Sequence, residues 1–263
     1  MTAFRLPLLL AIACVHAPAP RSFTPQEQTG GLVIEELFTR CAPPIEGPLD
    51  AYVRSVGDRL VRAVDDPARA WRFRVMDLDT VNAWAAPGGR VFVTRGLLVH
   101  LSSDAELAAV LAHEMGHIVA GHGRDFWSEA PATSEYTPSL LARAALFDRD
   151  EERQADEMAV RFMEAAGYDG RAMSSMLRAL HRGAPASAAS TTDNGWARRH
   201  PPLPVRLARA ERTARPGGDI DVAVHMRAID GQVVRRPVES LATESTIGTA
   251  FVEPITGWSL PQT

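Results

Sequence analysis

Two histidines, His113 and His117, stand four residues apart in an apolar segment, and Glu114 directly follows the first of them. If this segment is an α-helix, residues four apart lie on one face, so both imidazoles could bind the same metal ion. Glu114, rotated about 100° around the helix axis, would flank that ion and could take a proton from a metal-bound water. The pattern His-Glu-x-x-His is typical of metal-dependent peptide hydrolysis, in which one helix supplies two metal ligands and a general base.

The residues around this motif predict one buried helix. Ser103, followed three residues later by Glu106, forms a capping box at its start, and Gly121 is a typical residue for its end. Its apolar residues recur at steps of three and four: Leu107, Val110, Leu111, Met115 and Ile118. Histidines that are merely packed and hydrogen-bonded are the alternative to a metal site. A metal site is favoured, because three buried titratable groups without a partner would be costly.

Two histidines do not complete a catalytic zinc site, which has three protein ligands and an open position for water. One option is a third histidine in the pattern His-x-x-Gly-x-x-His. This option fails, because Ala120 and Gly123 occupy those positions and His122 is one residue out of step. The other option is a glutamate on a later helix, for which the candidates are Glu151 and Glu152.

The composition excludes several other classes of protein. The chain has 263 residues, a net charge of −4 and 46% hydrophobic residues, which is ordinary for a globular protein with a sizeable core. No basic run is longer than two residues, so nucleic acid is not expected as a partner. All 28 basic residues are arginine, which excludes a lysine Schiff base and a Walker phosphate loop.

The N-terminal residues resemble a bacterial export signal. A short apolar run after one arginine predicts a signal peptide over residues 1–13. The sequence from Leu10 to Cys14 resembles the lipobox of bacterial lipoproteins, which implies that Cys14 is lipidated and anchors the chain in a membrane. Simple secretion is the alternative, and a disulfide between Cys14 and Cys41 could then form. Residues 14–30 are predicted to be a tether.

The rest of the chain predicts helices interrupted by a few short strands. Apolar residues at three- and four-residue steps predict an amphipathic helix over residues 49–64. Alternating or turn-flanked segments predict strands at residues 71–75, 81–86 and 90–94. We therefore predict an α+β fold, mainly helical, with a small antiparallel sheet. The predicted main domain covers residues 31–215, and a tail of unknown role follows over residues 216–263.

A second predicted helix carries Arg149, Glu152, Ala155 and Asp156, which match the pattern Arg-x-x-Glu-x-x-Ala-Asp. Together with the His-Glu-x-x-His motif, this helix resembles that of the zinc metalloendopeptidases of the HtpX, BepA and LoiP type, gluzincins related to the CAAX prenyl protease. The resemblance extends over roughly residues 45 to 212 and implies a zincin-like peptidase domain. It implies that Glu152 is the third metal ligand and that Asp156 orients a ligating histidine. Glu151 is left to cap the helix.

The resemblance implies a metalloendopeptidase of the bacterial cell envelope. One Zn²⁺ per chain, held by His113, His117 and Glu152, would lower the pKa of a bound water, and Glu114 would take the proton during attack on a peptide bond. The implied substrates are misfolded or unassembled envelope proteins on the periplasmic side, and the implied location is the outer membrane, through a lipoprotein anchor. The alternative is a periplasmic chaperone or assembly factor that keeps the metal site but cleaves little.

A peptide substrate has to bind in an extended conformation to present its carbonyl group, and the edge of a sheet offers such a platform. The strand near Asn82, Ala83 and Trp84 is therefore expected to be an edge strand that flanks the active site and binds substrate. His200 follows a loop rich in Ala, Ser and Thr over residues 184–194. The resemblance implies that His200 lies over the active site, where it caps the metal or helps to hold the oxyanion. An exposed histidine at a helix start is the alternative.

Overall fold

The computed structural model describes residues 23–64, 70–79, 81–124, 148–183 and 202–232, together with the backbone of residues 251–253 and 258–260. Helices dominate and a small sheet lies against them, so the predicted α+β class is confirmed. The described elements are, in chain order, α1 (Pro25–Cys41), β1 (Pro44–Ile45), α2 (Pro48–Val64), β2 (Arg72–Met76), β3 (Ala83–Ala86), β4 (Arg90–Thr94), α3 (Arg95–Leu98), α4 (Asp104–Ala120), α5 (Arg149–Ala165), α6 (Ala172–Gly183), α7 (Leu203–Thr213), α8 (Val222–Ala228), β5 (Phe251–Glu253) and β6 (Trp258–Leu260).

The main sheet has the strand order β1-β2-β4-β3, so β3 lies at one edge. The pairs β1–β2 and β3–β4 are antiparallel, but β2 and β4 are parallel. The prediction of an antiparallel sheet was therefore wrong for the central pair. The buried strand β4 lies inside the sheet and pairs with β2 as well as with β3, whereas the partly exposed β3 lies at the edge. Alternation along a strand reports which side is buried, not the direction of the neighbouring strand.

Helix α4 carries the His-Glu-x-x-His motif and runs through the core. Its predicted limits are confirmed: the Ser103 hydroxyl accepts a hydrogen bond from the Glu106 N–H at 3.2 Å, and Gly121 ends the helix with a φ of 78°. Residues 105–112 are all buried. The helix packs against α2, α5, α6 and strand β3. Because it is surrounded on several sides, its motif is held in a fixed position relative to the sheet edge and to α5.

Helices α4 and α5 approach each other closely at Gly116. A Cβ atom at this position would lie 3.0 Å from the backbone oxygen of Ala155 and 3.1 Å from its Cα atom. Real Cβ contacts are rarely this short, so any side chain here would force the two backbones apart. The pair of small residues therefore determines the distance between the two helices that carry the predicted ligands.

Part of the predicted tail, residues 216–263, packs against the start of α4. Backbone N–H groups at the N-terminus of α4 donate to the carbonyl oxygens of Ile220 and Asp221. His225 of α8 is fully buried, and its Nδ1 atom lies 2.8 Å from the Tyr52 hydroxyl. These contacts join the first residues of the tail to the helical core, and the predicted domain boundary stays a prediction.

Most of the N-terminal predictions fall on residues that the structure does not describe. The signal peptide of residues 1–13 and the predicted lipidation site, Cys14, both lie outside the described residues. Helix α1 begins at Pro25, with a capping box formed by Thr24 and Glu27, so the last residues of the predicted tether are helical. In the described part of the chain, no helix is both long and apolar enough to cross a membrane.

Candidate metal centre

Three potential metal ligands converge between α4 and α5. The Nε2 atoms of His113 and His117 are 3.2 Å apart. One carboxylate oxygen of Glu152 lies 3.6 Å from the Nε2 atom of His113, and the other lies 3.4 Å from that of His117. The three side chains therefore form a compact triangle of two nitrogens and one carboxylate that could hold a metal ion.

The spacing of these atoms fits a zinc-sized ion. Nitrogen and oxygen ligands about 2.0–2.1 Å from a tetrahedral ion lie about 3.3 Å from one another. The two nitrogens are 3.2 Å apart, close to that value. The Glu152 carboxylate turns a different oxygen to each histidine, and one ligand atom from each of the three residues lies within 4.8 Å of the others. Two imidazoles and one carboxylate are ligands that zinc prefers, and three protein ligands are the number found in catalytic rather than structural zinc sites. The residues present therefore fit a catalytic divalent metal.

The two histidines have different electrostatic surroundings. The side chain of His117 is 2% exposed, and this burial lowers its pKa to about 4, so its imidazole is neutral at neutral pH. Burial also disfavours the charged form of His113. The hydrogen bond to Asp156 and the negative charge of Glu152 outweigh that effect, and they raise the pKa of His113. A metal ion competes with protons for both imidazoles, since only the deprotonated nitrogen can bind it.

Glu114 lies beside the triangle with a pKa suited to proton transfer. Burial raises its pKa to about 7, and the charge of Glu152 adds to this effect. The opposing influences are the charge of His113 and a backbone hydrogen bond from Ala85 of β3. A carboxyl group with a pKa near the working pH is the most effective general acid and base.

Asp156 lies next to the ring of His113, a histidine that it is predicted to orient. One of its carboxylate oxygens is 3.0 Å from the Nδ1 atom of His113. An acceptor at Nδ1 keeps the proton there and leaves the lone pair of Nε2 facing Glu152 and His117. Burial alone would raise the pKa of Asp156, but the charge and hydrogen bonds of Arg206 hold it well below its usual range. Asp156 is therefore a carboxylate at neutral pH.

Arg206, which was not predicted as a site residue, reaches the site from α7. Its guanidinium donates two hydrogen bonds to Asp156, at 2.8 and 2.6 Å, and lies 3.7 Å from Glu152. A signal was present in the sequence. The residues Leu203, Leu207 and Ala210 are spaced as one apolar face of a helix, and Arg206 lies on that same face. An arginine on a buried face usually has a buried acidic partner.

His122, excluded as a third ligand by its spacing, nevertheless contacts one of the ligands. Its Nδ1 atom lies 2.9 Å from the Nδ1 atom of His117. Glu151, the other candidate for the third ligand, instead accepts a hydrogen bond from the Asp148 N–H at 2.8 Å and completes the capping box of α5. His200 lies outside the described residues, so its expected position over the site stays a prediction.

The predicted substrate strand is the edge strand β3, and it lies beside α4. The Thr94 N–H donates to the Asn82 carbonyl at 3.0 Å, which fixes the alternation of hydrogen bonds along the hairpin. The backbone groups of Trp84 therefore face β4, whereas those of Ala83 and Ala85 face the open edge. The indole of Trp84 packs against aromatic rings under α1, away from the metal ligands. Its predicted role in substrate binding stays untested.

The ion pair between Arg206 and Asp156 generates a prediction about stability. Arg206→Met should lower the free energy of unfolding of the metal-free protein by about 3–5 kcal/mol, because a buried carboxylate loses its counter-ion. Urea titration followed by circular dichroism measures this change.

Arg212→Met, at an exposed position of the same helix, is the matched control and should change stability by less than about 0.5 kcal/mol. Adding Asp156→Asn to Arg206→Met should recover part of the loss, since it removes the uncompensated charge. An Arg206→Met protein as stable as the wild type would contradict a structural role for this pair.

The chain is similar in sequence to several proteases. It is 29% identical over 175 residues to the putative beta-barrel assembly-enhancing protease of Vibrio cholerae, a match that covers 56% of this chain and 36% of that protein. It is 34% identical over 116 residues to the mitochondrial metalloendopeptidase OMA1 of Arabidopsis thaliana, covering 39% and 24% of the two chains. For OMA1 of Schizosaccharomyces pombe the identity is 31% over 155 residues, covering 52% and 45%. Each match spans less than half of the relative's own length.

The sequence profile of peptidase family M48 matches residues 49–133 and 132–214. These matches cover more than half of the chain and include all the residues of the triangle, together with Glu114 and Asp156. The resemblance inferred from the two helix motifs is thereby confirmed. The chain belongs to peptidase family M48.

Proposed function

We propose that this protein is a zinc-dependent endopeptidase that hydrolyses peptide bonds in proteins of the cell envelope. The observation that carries the proposal is the convergence of His113, His117 and Glu152 beside a glutamate and an open strand edge. Membership of a peptidase family and relatives that are named as proteases support it.

His113, His117 and Glu152 would hold one zinc ion per chain. Such an ion, when bound, lowers the pKa of a coordinated water and polarises the carbonyl group of the substrate. Asp156, itself paired with Arg206, keeps the His113 ring oriented through its Nδ1 atom, so that Nε2 is the nitrogen turned toward the metal position. Glu114 accepts the proton of the attacking water on its carboxylate and delivers it to the amine that leaves.

The edge strand β3 would bind the substrate. An extended peptide can pair with the backbone groups of Ala83 and with the Ala85 carbonyl, which face the sheet edge. The Ala85 N–H is within hydrogen-bonding reach of Glu114, so a peptide paired there would pass directly in front of the base. Asn82 supports the same role, because its buried side-chain oxygen has no hydrogen-bond partner within the described residues and could accept one from a substrate. His200 stays the candidate, on family resemblance, for capping the metal or holding the oxyanion.

The proposed substrates are misfolded or unassembled envelope proteins, and the proposed location is the periplasmic side of the outer membrane. The relative from Vibrio cholerae supports this proposal, since it is named as a putative beta-barrel assembly-enhancing protease. The lipobox-like sequence that ends at Cys14 supports a lipid anchor.

The choice of third ligand can be tested with two adjacent glutamates. Glu152→Ala should remove most of the zinc affinity, because it deletes one of three ligands. Glu151→Ala is the matched control and should cost only the cap of α5, about 1 kcal/mol of stability. Zinc content measured by metal analysis after dialysis separates the two. If the two variants exchange behaviours, the ligand assignment is wrong by one residue.

Glu114→Gln should retain zinc and lose roughly two to four decades of peptidase rate, the usual contribution of a positioned acid–base group. Cleavage of casein and of an unfolded outer-membrane protein measures the rate, and metal analysis verifies the zinc. Turnover close to that of the wild type would contradict the mechanism. A zinc-loaded wild type that cleaves neither substrate would favour the alternative, a chaperone or assembly factor with a retained metal site.

Lipidation of Cys14 predicts that the mature chain begins with an acylated cysteine. Mass spectrometry of the N-terminus should detect it, and a Cys14→Ala chain should leave the membrane fraction, because the acyl chains supply the anchor. An unmodified N-terminus at another residue would contradict the lipoprotein proposal.

A further inference from the structure

His117 has a hydrogen-bond partner on the side of its ring that faces away from the other ligands. Its Nδ1 atom lies 2.9 Å from the Nδ1 atom of His122. On the far side of the His122 ring, the Nε2 atom lies 3.0 Å from the side-chain oxygen of Gln154. The three side chains form a continuous hydrogen-bonded chain from α5 through His122 to the proposed ligand.

The hydrogen-bonding capacity of each group fixes where the protons lie. The side-chain oxygen of Gln154 only accepts, so the Nε2 atom of His122 is the donor. A neutral imidazole carries one N–H, so the Nδ1 atom of His122 must accept, and His117 donates from its own Nδ1. The Nε2 atom of His117 is then left with a free lone pair, and it faces His113 and Glu152. The opposite order would place a proton on that Nε2 atom, which would prevent metal binding.

The backbone at the end of α4 is built to bring His122 to this position. In a continuing helix, residues five apart are rotated by about 140° and point away from each other. Gly121 instead adopts a left-handed conformation with a φ of 78°, and the His122 N–H donates to the His117 carbonyl at 3.0 Å. The chain thus turns back on itself, and the His122 ring meets the His117 ring at 70°, with ring centroids 5.0 Å apart.

We propose that His122 and Gln154 are positioning residues that fix the tautomer and ring orientation of His117 for metal binding. The inference rests on the proposed function in one respect, namely that His117 is a metal ligand. It extends the arrangement at the other histidine: Asp156 lies 3.0 Å from the Nδ1 atom of His113, and His122 accepts the hydrogen bond from the Nδ1 atom of His117. Groups that orient ligating histidines typically contribute 10- to 100-fold to metal affinity.

The first test measures zinc affinity in the full chain. His122→Phe keeps a ring but removes both nitrogens, and it should weaken zinc binding by roughly 10- to 100-fold in competition with a chromophoric chelator. His122→Asn should recover most of the affinity, because its side-chain oxygen can occupy the position of the lost Nδ1 acceptor. His100→Phe is the matched control, since His100 is exposed and its Nδ1 atom bonds the Gly96 carbonyl of its own turn rather than a proposed ligand; it should leave zinc affinity unchanged.

The second test reads the proton position directly. Long-range proton–nitrogen spectra of the metal-free, ¹⁵N-histidine-labelled protein should show His117 with its proton on Nδ1 in the wild type and in His122→Asn. In His122→Phe and, to a smaller extent, in Gln154→Leu, a mixture of the two tautomers is expected. If His122→Phe only destabilised the fold, the tautomer ratio of His117 would not shift in that variant and return to the wild-type value in His122→Asn. Gln154 is exposed, so its variant tests the series of hydrogen bonds from Gln154 to His117 without disturbing the core.

The two tests separate the failure of this inference from that of the proposed function. A His122→Phe protein with wild-type zinc affinity and wild-type His117 tautomer would overturn the inference even if the enzyme is an active zinc peptidase. A wild type that binds no zinc would overturn the proposed function and, with it, the metal-positioning role. The spectra of the metal-free protein would then still report whether the chain of hydrogen bonds sets the tautomer.

Discussion

Helices α4 and α5 pack against each other at two small residues, Gly116 and Ala155, with no room for a side chain on the first. These residues occupy equivalent places in the two motifs. Gly116 lies three residues after one ligand and one residue before the next, and Ala155 has the same relation to Glu152 and Asp156. Residues at steps of three and four share one helix face, so the small residues and the functional ones lie along the same line of contact. Ligand atoms that have to meet at about 3.3 Å can do so only because the backbones approach this closely.

The second constraint is the charge that this packing buries. Glu152 and Asp156 bring two carboxylates into the core beside His113 and His117, and burying unpaired charges is costly. Arg206 from α7 supplies one positive charge and two hydrogen bonds. Two carboxylates and one guanidinium leave a formal charge of −1 around the triangle, apart from Glu114. A residual negative charge favours a cation in the centre, so the same ion pair that permits burial also leaves the site suited to a metal.

The sheet positions β3, the edge strand that is proposed to bind the substrate, beside α4. Because β4 lies inside the sheet, β3 is left at the edge, and every second pair of its backbone groups faces away from β4. The same strand contacts α4, so the base and the open edge are adjacent. The hydrogen bond from Ala85 to Glu114 connects the two directly. In the proposed function, substrate binding and proton transfer both involve this strand position, which is fixed by the pairing of β3 with β4.

The local features of this protein can be predicted from its sequence. The limits of α4, the capping box of α5, the β3–β4 turn and the His-Glu-x-x-His motif follow from residue spacing within single helices or hairpins, because caps, periodicity and turns are local interactions. The choice of Glu152 over Glu151 as the third ligand came from the family resemblance. Contacts between segments that are distant in the chain could be seen only in the tertiary structure. The parallel pairing of β2 with β4, the reach of Arg206 into the site and the contact of the first tail residues with α4 all depend on long-range packing. The role of His122 was hidden for a related reason: one left-handed residue at Gly121 reverses the direction that helical spacing would give it.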